Sequence, residues 1–183
     1  MSVKKGCRDY IRKNRIFTLV RTLIMFTASI GIYFIAKNIL GTNKNLFTVM
    51  AVLLILPAAK SAVNCIMFYK ADSVKEDFYR EVEGIRGDIP VLYDLIFTTY
   101  EKTFQADALL YSNNCVILYS GRGKKQKPGF EDYLKSVLSA DLTIILYSDR
   151  QAFFDRIAQM KIRHDTSDKR HETLFEKIRA IVL

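Results

Sequence analysis

Acid is almost missing from the first part of this 183-residue chain. Before Asp72 there is a single carboxylate, Asp9, while Lys4, Lys5, Arg8, Arg12, Lys13 and Arg15 crowd the first fifteen positions and Arg21, Lys37, Lys44 and Lys60 follow. The net charge of +9 therefore belongs to the first 69 residues, because Lys70 to Leu183 carries 18 basic and 18 acidic side chains. A nucleic-acid binder needs a basic field on the domain that meets the polyanion, and a neutral domain has none, so nucleic acid is not an expected partner. Cysteine is scarce as well. Cys7, Cys65 and Cys115 are isolated, odd in number and without a C-x-x-C pair, which argues against a disulfide framework. His164 and His171 lie in a polar stretch with no thiol beside them, which is not a zinc-ligand pattern. No metal and no cofactor is expected.

What is present instead is hydrophobic length. Ile16 to Leu40 and Leu46 to Tyr69 are apolar runs broken by Arg21, Lys37, Lys60 and Asn64, and only Gly41 to Asn45 separates them. At a rise of about 1.5 Å per residue each run makes roughly 36 Å of helix, enough to cross a hydrocarbon core of about 30 Å. A soluble helix of average length would be about half as long and would show a polar face. The expected architecture is a transmembrane helical hairpin, residues 16–69, preceded by a basic arm, residues 1–15, and followed by a cytoplasmic α+β domain, residues 72–183. Basic residues flank both outer ends of the hairpin more heavily than the connector, so the positive-inside rule places both termini in the cytoplasm. The first run is too long for the apolar core of a cleavable signal and continues into a second span.

Within the hairpin, an antiparallel pair turning near Asn43 sets Ala28 level with Ala58. Thr27 and Gly31 then meet Ala58 and Ala62 as small-residue ridges. Lys60 points away from that seam with Asn64 beside it. An ionisable group in a span faces protein, water or the interface, so Lys60 and Asn64 are candidates for contact with a second copy or another membrane protein. The bilayer is the other expected partner.

After the hairpin, Ser73-Val74-Lys75-Glu76 has the form of a capping box opening a helix to about Glu83. Strands are expected at Val91 to Tyr100, Phe104 to Tyr111 and Cys115 to Tyr119, with Ser112-Asn113-Asn114 as a tight turn. Gly121 to Gly129 is expected to be a flexible basic loop. A helix follows at Phe130 to Ser139, a buried strand at Leu142 to Tyr147, and a helix at Arg150 to Met160 capped by Asp149. Lys161 to Asp168 is read as polar linker before a last helix carrying Leu174, Ile178 and Ile181. The order is α-β-β-β-α-β-α-α.

The basic loop misses the P-loop spacing G-x-x-x-x-G-K-[ST], and its G-x-G-x-x-G reading fails at Gln126. Arg122, Lys124, Lys125 and Lys127 remain as a generic contact for an anion or an acidic partner. The α-β-β-β-α-β order is that of the restriction-endonuclease-like core, in which an acid on the second strand and an acid-x-Lys on the third hold a metal that activates water. Asp107 matches the first position, with Glu81 or Glu83 available from the helix. The third strand, Cys115 to Tyr119, has neither acid nor lysine. Asp94 would share a face of its strand with Leu92, Ile96 and Thr98, where a carboxylate needs a partner. Asp107, Glu81, Glu83 and Asp94 are thus the catalytic candidates, without a complete constellation.

At Leu56-Pro57-Ala58-Ala59-Lys60-Ser61-Ala62-Val63-Asn64 and at Tyr93-Asp94-Leu95-Ile96-Phe97-Thr98-Thr99-Tyr100-Glu101-Lys102 the chain resembles a two-span membrane protein family of Gram-positive Clostridia. The resemblance covers most of the chain and implies a multi-pass protein of the bacterial cell (inner) membrane. Some members carry the label "O-linked GlcNAc transferase-like". No sugar-nucleotide motif stands behind that label here, and about 110 residues beyond the hairpin are few for a glycosyltransferase. The resulting expectation is a membrane protein whose cytoplasmic domain binds or scaffolds a partner at the membrane surface. The alternatives are a degenerate restriction-endonuclease-like phosphodiesterase and an accessory subunit of a membrane transporter or regulator complex.

Overall fold

A computed structural model describes residues 4–40, 46–99, 102–138, 142–163 and 170–183, with the backbone alone described at residues 39–40 and 123–128. The connector Gly41 to Asn45, residues Tyr100 and Glu101, and His164 lie outside the described residues. The chain divides into two compact units, one made of Met1–Tyr10 with Ser73–Leu183 and the other of Ile11–Asp72.

The second unit is a pair of helices belonging to α1 (Tyr10–Leu40) and α2 (Leu46–Lys70). Both are long and apolar enough to cross a membrane. The first begins six residues earlier than expected, so Arg12, Lys13 and Arg15 are its opening turns. Lysine and arginine are good helix formers, and the chain breaks upstream, where Gly6 and Asp9 both have positive φ. In their most apolar windows 11% and 17% of the residues are buried. Of the exposed large apolar side chains among the described residues, all but Val137 and Ile162 lie on these two helices.

The seam between the helices differs from the expected one. Thr22 and Ser61 share a hydroxyl–hydroxyl hydrogen bond of 2.8 Å, and Ser29 Oγ donates to the Ala51 carbonyl at 2.7 Å. At the other end Arg15 donates to the carbonyls of Phe68 and Ala71, at 3.2 and 2.6 Å. Ala58 and Ser61 are buried, but Thr27 and Ala28 are exposed and nothing stands within 4 Å of a Cβ built on Gly31. Hydroxyls and helix-terminal carbonyls in apolar surroundings need partners, and those directional bonds set the register where small-residue matching alone leaves it loose.

The α+β unit follows the expected order. It comprises α3 (Glu76–Arg86), β1 (Val91–Thr98), β2 (Thr103–Ser112), β3 (Cys115–Tyr119), α4 (Gly123–Val137), β4 (Thr143–Tyr147), α5 (Arg150–Arg163) and α6 (Arg170–Ile181). The sheet runs β1-β2-β3-β4, antiparallel except for the β3/β4 pair, which α4 connects in parallel. One face carries α3 and α5 over Phe78, Val82, Tyr93, Leu110, Ile117 and Phe153. The other carries α4 and α6 over Leu95, Phe97, Phe104, Leu118, Phe130 and Ile178.

Local chemistry explains the boundaries. Asn113 and Asn114, with φ +47° and +63°, make the tight β2–β3 turn. Asp149 caps α5 by accepting the Ala152 N–H at 2.9 Å. That helix continues through Lys161 to Arg163, first read as linker, because basic residues suit a helix C-terminus. Three further expectations are corrected. The capping box is not formed: Lys75 holds the cap position without a side-chain bond, and Ser73 is engaged elsewhere. The helix expected to stop near Glu83 runs on to Arg86 and is capped by Gly87 with φ +62°. The basic stretch after Gly121 is not a loop: helix is assigned from Gly123, with Gly129 at φ +89° just after Pro128 as a local break within it.

The outer edge of β1 is covered by both ends of the chain. Tyr93 N–H donates to the Gly6 carbonyl at 2.8 Å, and Leu183 N–H to the Ile96 carbonyl at 2.9 Å. Gly6 has φ +84°, and a Cβ there would sit 2.6 Å from Leu92 Cδ2, so only glycine fits. The residues first read as one basic arm are thus split: Lys4 to Tyr10 pack with the α+β unit, and Ile11 to Arg15 begin the apolar pair.

Candidate functional site

The strands β1 and β2 both break their alternation at one place. Leu92 faces the α4/α6 side, but so do Leu95 and Phe97. On β2, Phe104 and Ala106 face that side and so do Leu109 and Tyr111. The reversal falls at Asp94 and Asp107, between the pairs Tyr93↔Ala108 and Leu95↔Ala106. Asp94 adopts φ +53°, a left-handed conformation that aspartate tolerates better than most residues. The expectation that Asp94 shares a face with Leu92, Ile96 and Thr98 is overturned by this kink, which rotates the strand under it.

Asp94 is 2% exposed, and its carboxylate accepts the Ser73 hydroxyl at 2.6 Å and the Val74 N–H at 2.8 Å. It therefore fixes the segment entering α3. Asp107 accepts the Gly121 N–H at 2.8 Å on Oδ2 and the Gln105 amide at 3.3 Å on Oδ1. Burial pushes its carboxyl above the usual range, the Gly121 amide opposes this, the Asp94 carboxylate adds to it, and the Arg122 charge and the Gln105 amide oppose it more weakly. Tyr119, stacked on Phe78 at 4.6 Å, is raised by burial and by Asp107. This cluster lies where the parallel strands β3 and β4 end, the edge at which open α/β sheets commonly take ligands. A carboxyl raised by burial at such an edge suits proton transfer.

The other candidates are dispersed. Glu81 is paired with Arg150 at 2.8 Å, and the same guanidinium meets Asp77 at 3.1 Å and lies over Phe78 and Phe154. Glu83 is held by Arg86 at 2.7 Å and by the Tyr93 hydroxyl at 2.9 Å. Burial pulls Glu83 up, but these two donors outweigh it and leave its carboxyl below the ordinary range. Of the four carboxylates, the fold thus brings Asp94 and Asp107 together and spends Glu81 and Glu83 on ion pairs. Among the described residues no group of three or more His, Cys, Asp or Glu is arranged to hold a metal. Arg122 is exposed beside Gly121, while the side chains of Lys124, Lys125 and Lys127 lie outside the described residues. Lys60 is exposed on α2 and Asn64 is half-buried.

Gln105, Gly121 and Ser73 complete the surroundings of the two aspartates, a role not legible in the sequence, which sets Ser73 in a capping box and Gly121 at the start of a loop. A polar residue two positions before Asp107 in an otherwise apolar strand was the one available signal. Comparisons with protein-family models, with curated proteins and with solved structures return no match.

Proposed function

We infer that this is a membrane-anchored protein whose α+β domain binds or scaffolds a partner at the membrane surface. The observation that carries the reading is the exposure of the apolar pair: two helices of 31 and 25 residues whose leucine, isoleucine, valine and phenylalanine side chains point mostly outward. Core helices of a soluble protein would bury that surface, and leaving it in water costs about 25 cal/mol per Å2. A bilayer resolves the cost. The basic flanks then orient both termini to the cytoplasm of a bacterial inner membrane. A domain of low net charge with no assembled catalytic group among its described residues supports binding over catalysis, and the Lys60 and Asn64 face supports contact with a second copy or another membrane protein.

The topology is tested in intact cells of a cysteine-free background. Asn43→Cys should react with an impermeant thiol reagent and Ser167→Cys should not; the reverse pattern overturns the orientation. Crosslinking from Lys60→Cys and Asn64→Cys in native membranes tests the partner face, and absence of any protein adduct means that lipid covers it.

A second reading has a specific observation behind it. The sheet order β1-β2-β3-β4 with only β2 antiparallel to its neighbours, and Asp107 on β2, support a degenerate restriction-endonuclease-like core in which Asp107 keeps residual metal affinity although β3 carries neither acid nor lysine. Calorimetric titration of Mn2+ into the protein and into Asp107→Ala distinguishes the two readings, since a retained nuclease site binds the ion in the first and loses it in the second.

A further inference from the structure

The β2–β3 turn and the C-terminal half of α5 enclose a hollow of about 500 Å3, within the range of small-molecule sites. Ser112, Cys115, Arg156, Met160, Ile162 and Arg163 form most of its wall, and no carboxylate among the described residues lines it. Elsewhere on this side of the sheet the arginines are neutralised, Arg150 by Asp77 and Glu81 and Arg86 by Glu83. Arg156 and Arg163 have no acidic partner among the described residues. The Arg156 guanidinium makes do with neutral neighbours: Nη1 donates to Gln159 Oε1 at 3.2 Å and Nη2 lies 3.9 Å from Cys115 Sγ. Its Nε is buried without any acceptor among the described residues. A charge-assisted hydrogen bond to an anion is stronger than one to these neutral neighbours.

Arg163 stands seven residues further along α5, on the same face and about 10.5 Å along the axis, close enough for two long side chains to converge. The carbonyls at a helix C-terminus would oppose an anion, but the Arg163 carbonyl accepts the Asn113 amide, which removes one of them. The rest of the wall is mixed: Ser112, Asn113 and Gln159 are polar, Met160 is apolar and adaptable in shape, and Ile162 is apolar and 86% exposed. The geometry points to a binding site for a small phosphate monoester, its dianion held by Arg156 and Arg163 and its organic body resting on Met160 and Ile162. A dianion with three acceptor oxygens matches two guanidinium forks better than a single carboxylate does. This site is separate from the partner-binding reading and does not rest on it.

The full-length protein in detergent is titrated calorimetrically with adenosine 5′-monophosphate, inorganic phosphate and adenosine. Saturable binding of the monophosphate, weaker binding of phosphate and none of adenosine are expected. Arg156→Gln and Arg163→Gln should each weaken monophosphate binding by about tenfold or more, the loss of a charge-assisted hydrogen bond. Lys177→Gln on α6 serves as the control and should leave it unchanged. In a Cys7→Ser, Cys65→Ser background the monophosphate should slow modification of Cys115 by a thiol reagent. Arg163 is exposed, so its variant remains informative if Arg156→Gln fails to fold. The site is overturned by any of three results: no saturable heat from monophosphate or phosphate up to about 10 mM, adenosine binding as well as its monophosphate, or equal affinity in wild type and Arg163→Gln.

Discussion

Asp94 and Asp107 are neighbours with opposite demands. Asp94 holds a left-handed backbone and satisfies two donors of the segment entering α3. Asp94→Ala should lower stability by about 2–4 kcal/mol, from two unmet donors and a strained φ. Asp94→Asn keeps an acceptor and tolerates the conformation, so it should cost less than half as much; chemical denaturation of the two variants measures the difference, and equal losses would leave only the charge as the cause. For Asp107 the expected effect is a gain. Its carboxyl is raised in the folded state, first by burial, so the native protein holds that proton more tightly than the unfolded chain does. The unfavourable contribution is absent below the ordinary carboxylate range, grows as pH rises towards the folded value and is complete above it. Asp107→Asn, which retains a carbonyl for the Gly121 N–H, should therefore melt higher than wild type at pH 7. The advantage should vanish near pH 3.5, by circular dichroism melts across that range. An unchanged difference across the range would show that the charge plays no part.

At the scale of elements, the apolar helix pair is registered by a few polar bonds. Thr22→Val and Ser61→Ala each remove one side of the 2.8 Å hydroxyl contact. In a double-mutant cycle read by unfolding from mixed micelles, their coupling should be about 0.6 kcal/mol, the average for interhelical hydrogen bonds in membrane proteins. A coupling of zero would mean that packing alone sets the seam. The same elements show where reading from sequence worked and where it stopped. Length and apolar runs identified α1 and α2, and turn and cap chemistry at Asn113-Asn114 and Asp149 identified β2, β3 and α5, because those signals act within a few residues. The register of the hairpin, the unformed capping box at Ser73 and the helical start of α4 at Gly123 were not legible. Each depends on a partner distant in sequence or on competition between local alternatives.

For the whole molecule, the segment Lys4 to Tyr10 is part of the α+β unit. Gly6 pairs with Tyr93, the Arg179 guanidinium donates to the Lys5 carbonyl at 3.2 Å, Arg8 pairs with Glu76 and lies over Tyr79, and the Tyr10 hydroxyl donates to the Leu183 carbonyl at 3.0 Å. A fragment beginning at Ser73 would leave the Tyr93 part of the β1 edge open, while Leu183 still covers Ile96. Fusing Lys4 to Tyr10 to Ser73 through a glycine-serine linker should raise its melting midpoint by roughly 3–5 °C, the effect of about 1 kcal/mol in a domain of this size. Equal midpoints would show that the segment contributes nothing to the fold. Gly6→Ala in the fused fragment should cancel the gain, since its Cβ would collide with Leu92.

By itself the sequence determined the two apolar helices, the α-β-β-β-α-β-α-α order and the separation of a basic from a neutral part. Those follow from hydrophobic length, periodicity and charge, which are properties of nearby residues. Only the tertiary structure decided that Lys4 to Tyr10 close the edge of β1, that Asp94 and Asp107 meet at a shared kink, and that Arg156 and Arg163 share one hollow with no acid lining it among the described residues. Hydrogen-bond partners and ion pairs far apart in sequence are settled by which buried groups can satisfy one another once the sheet has formed.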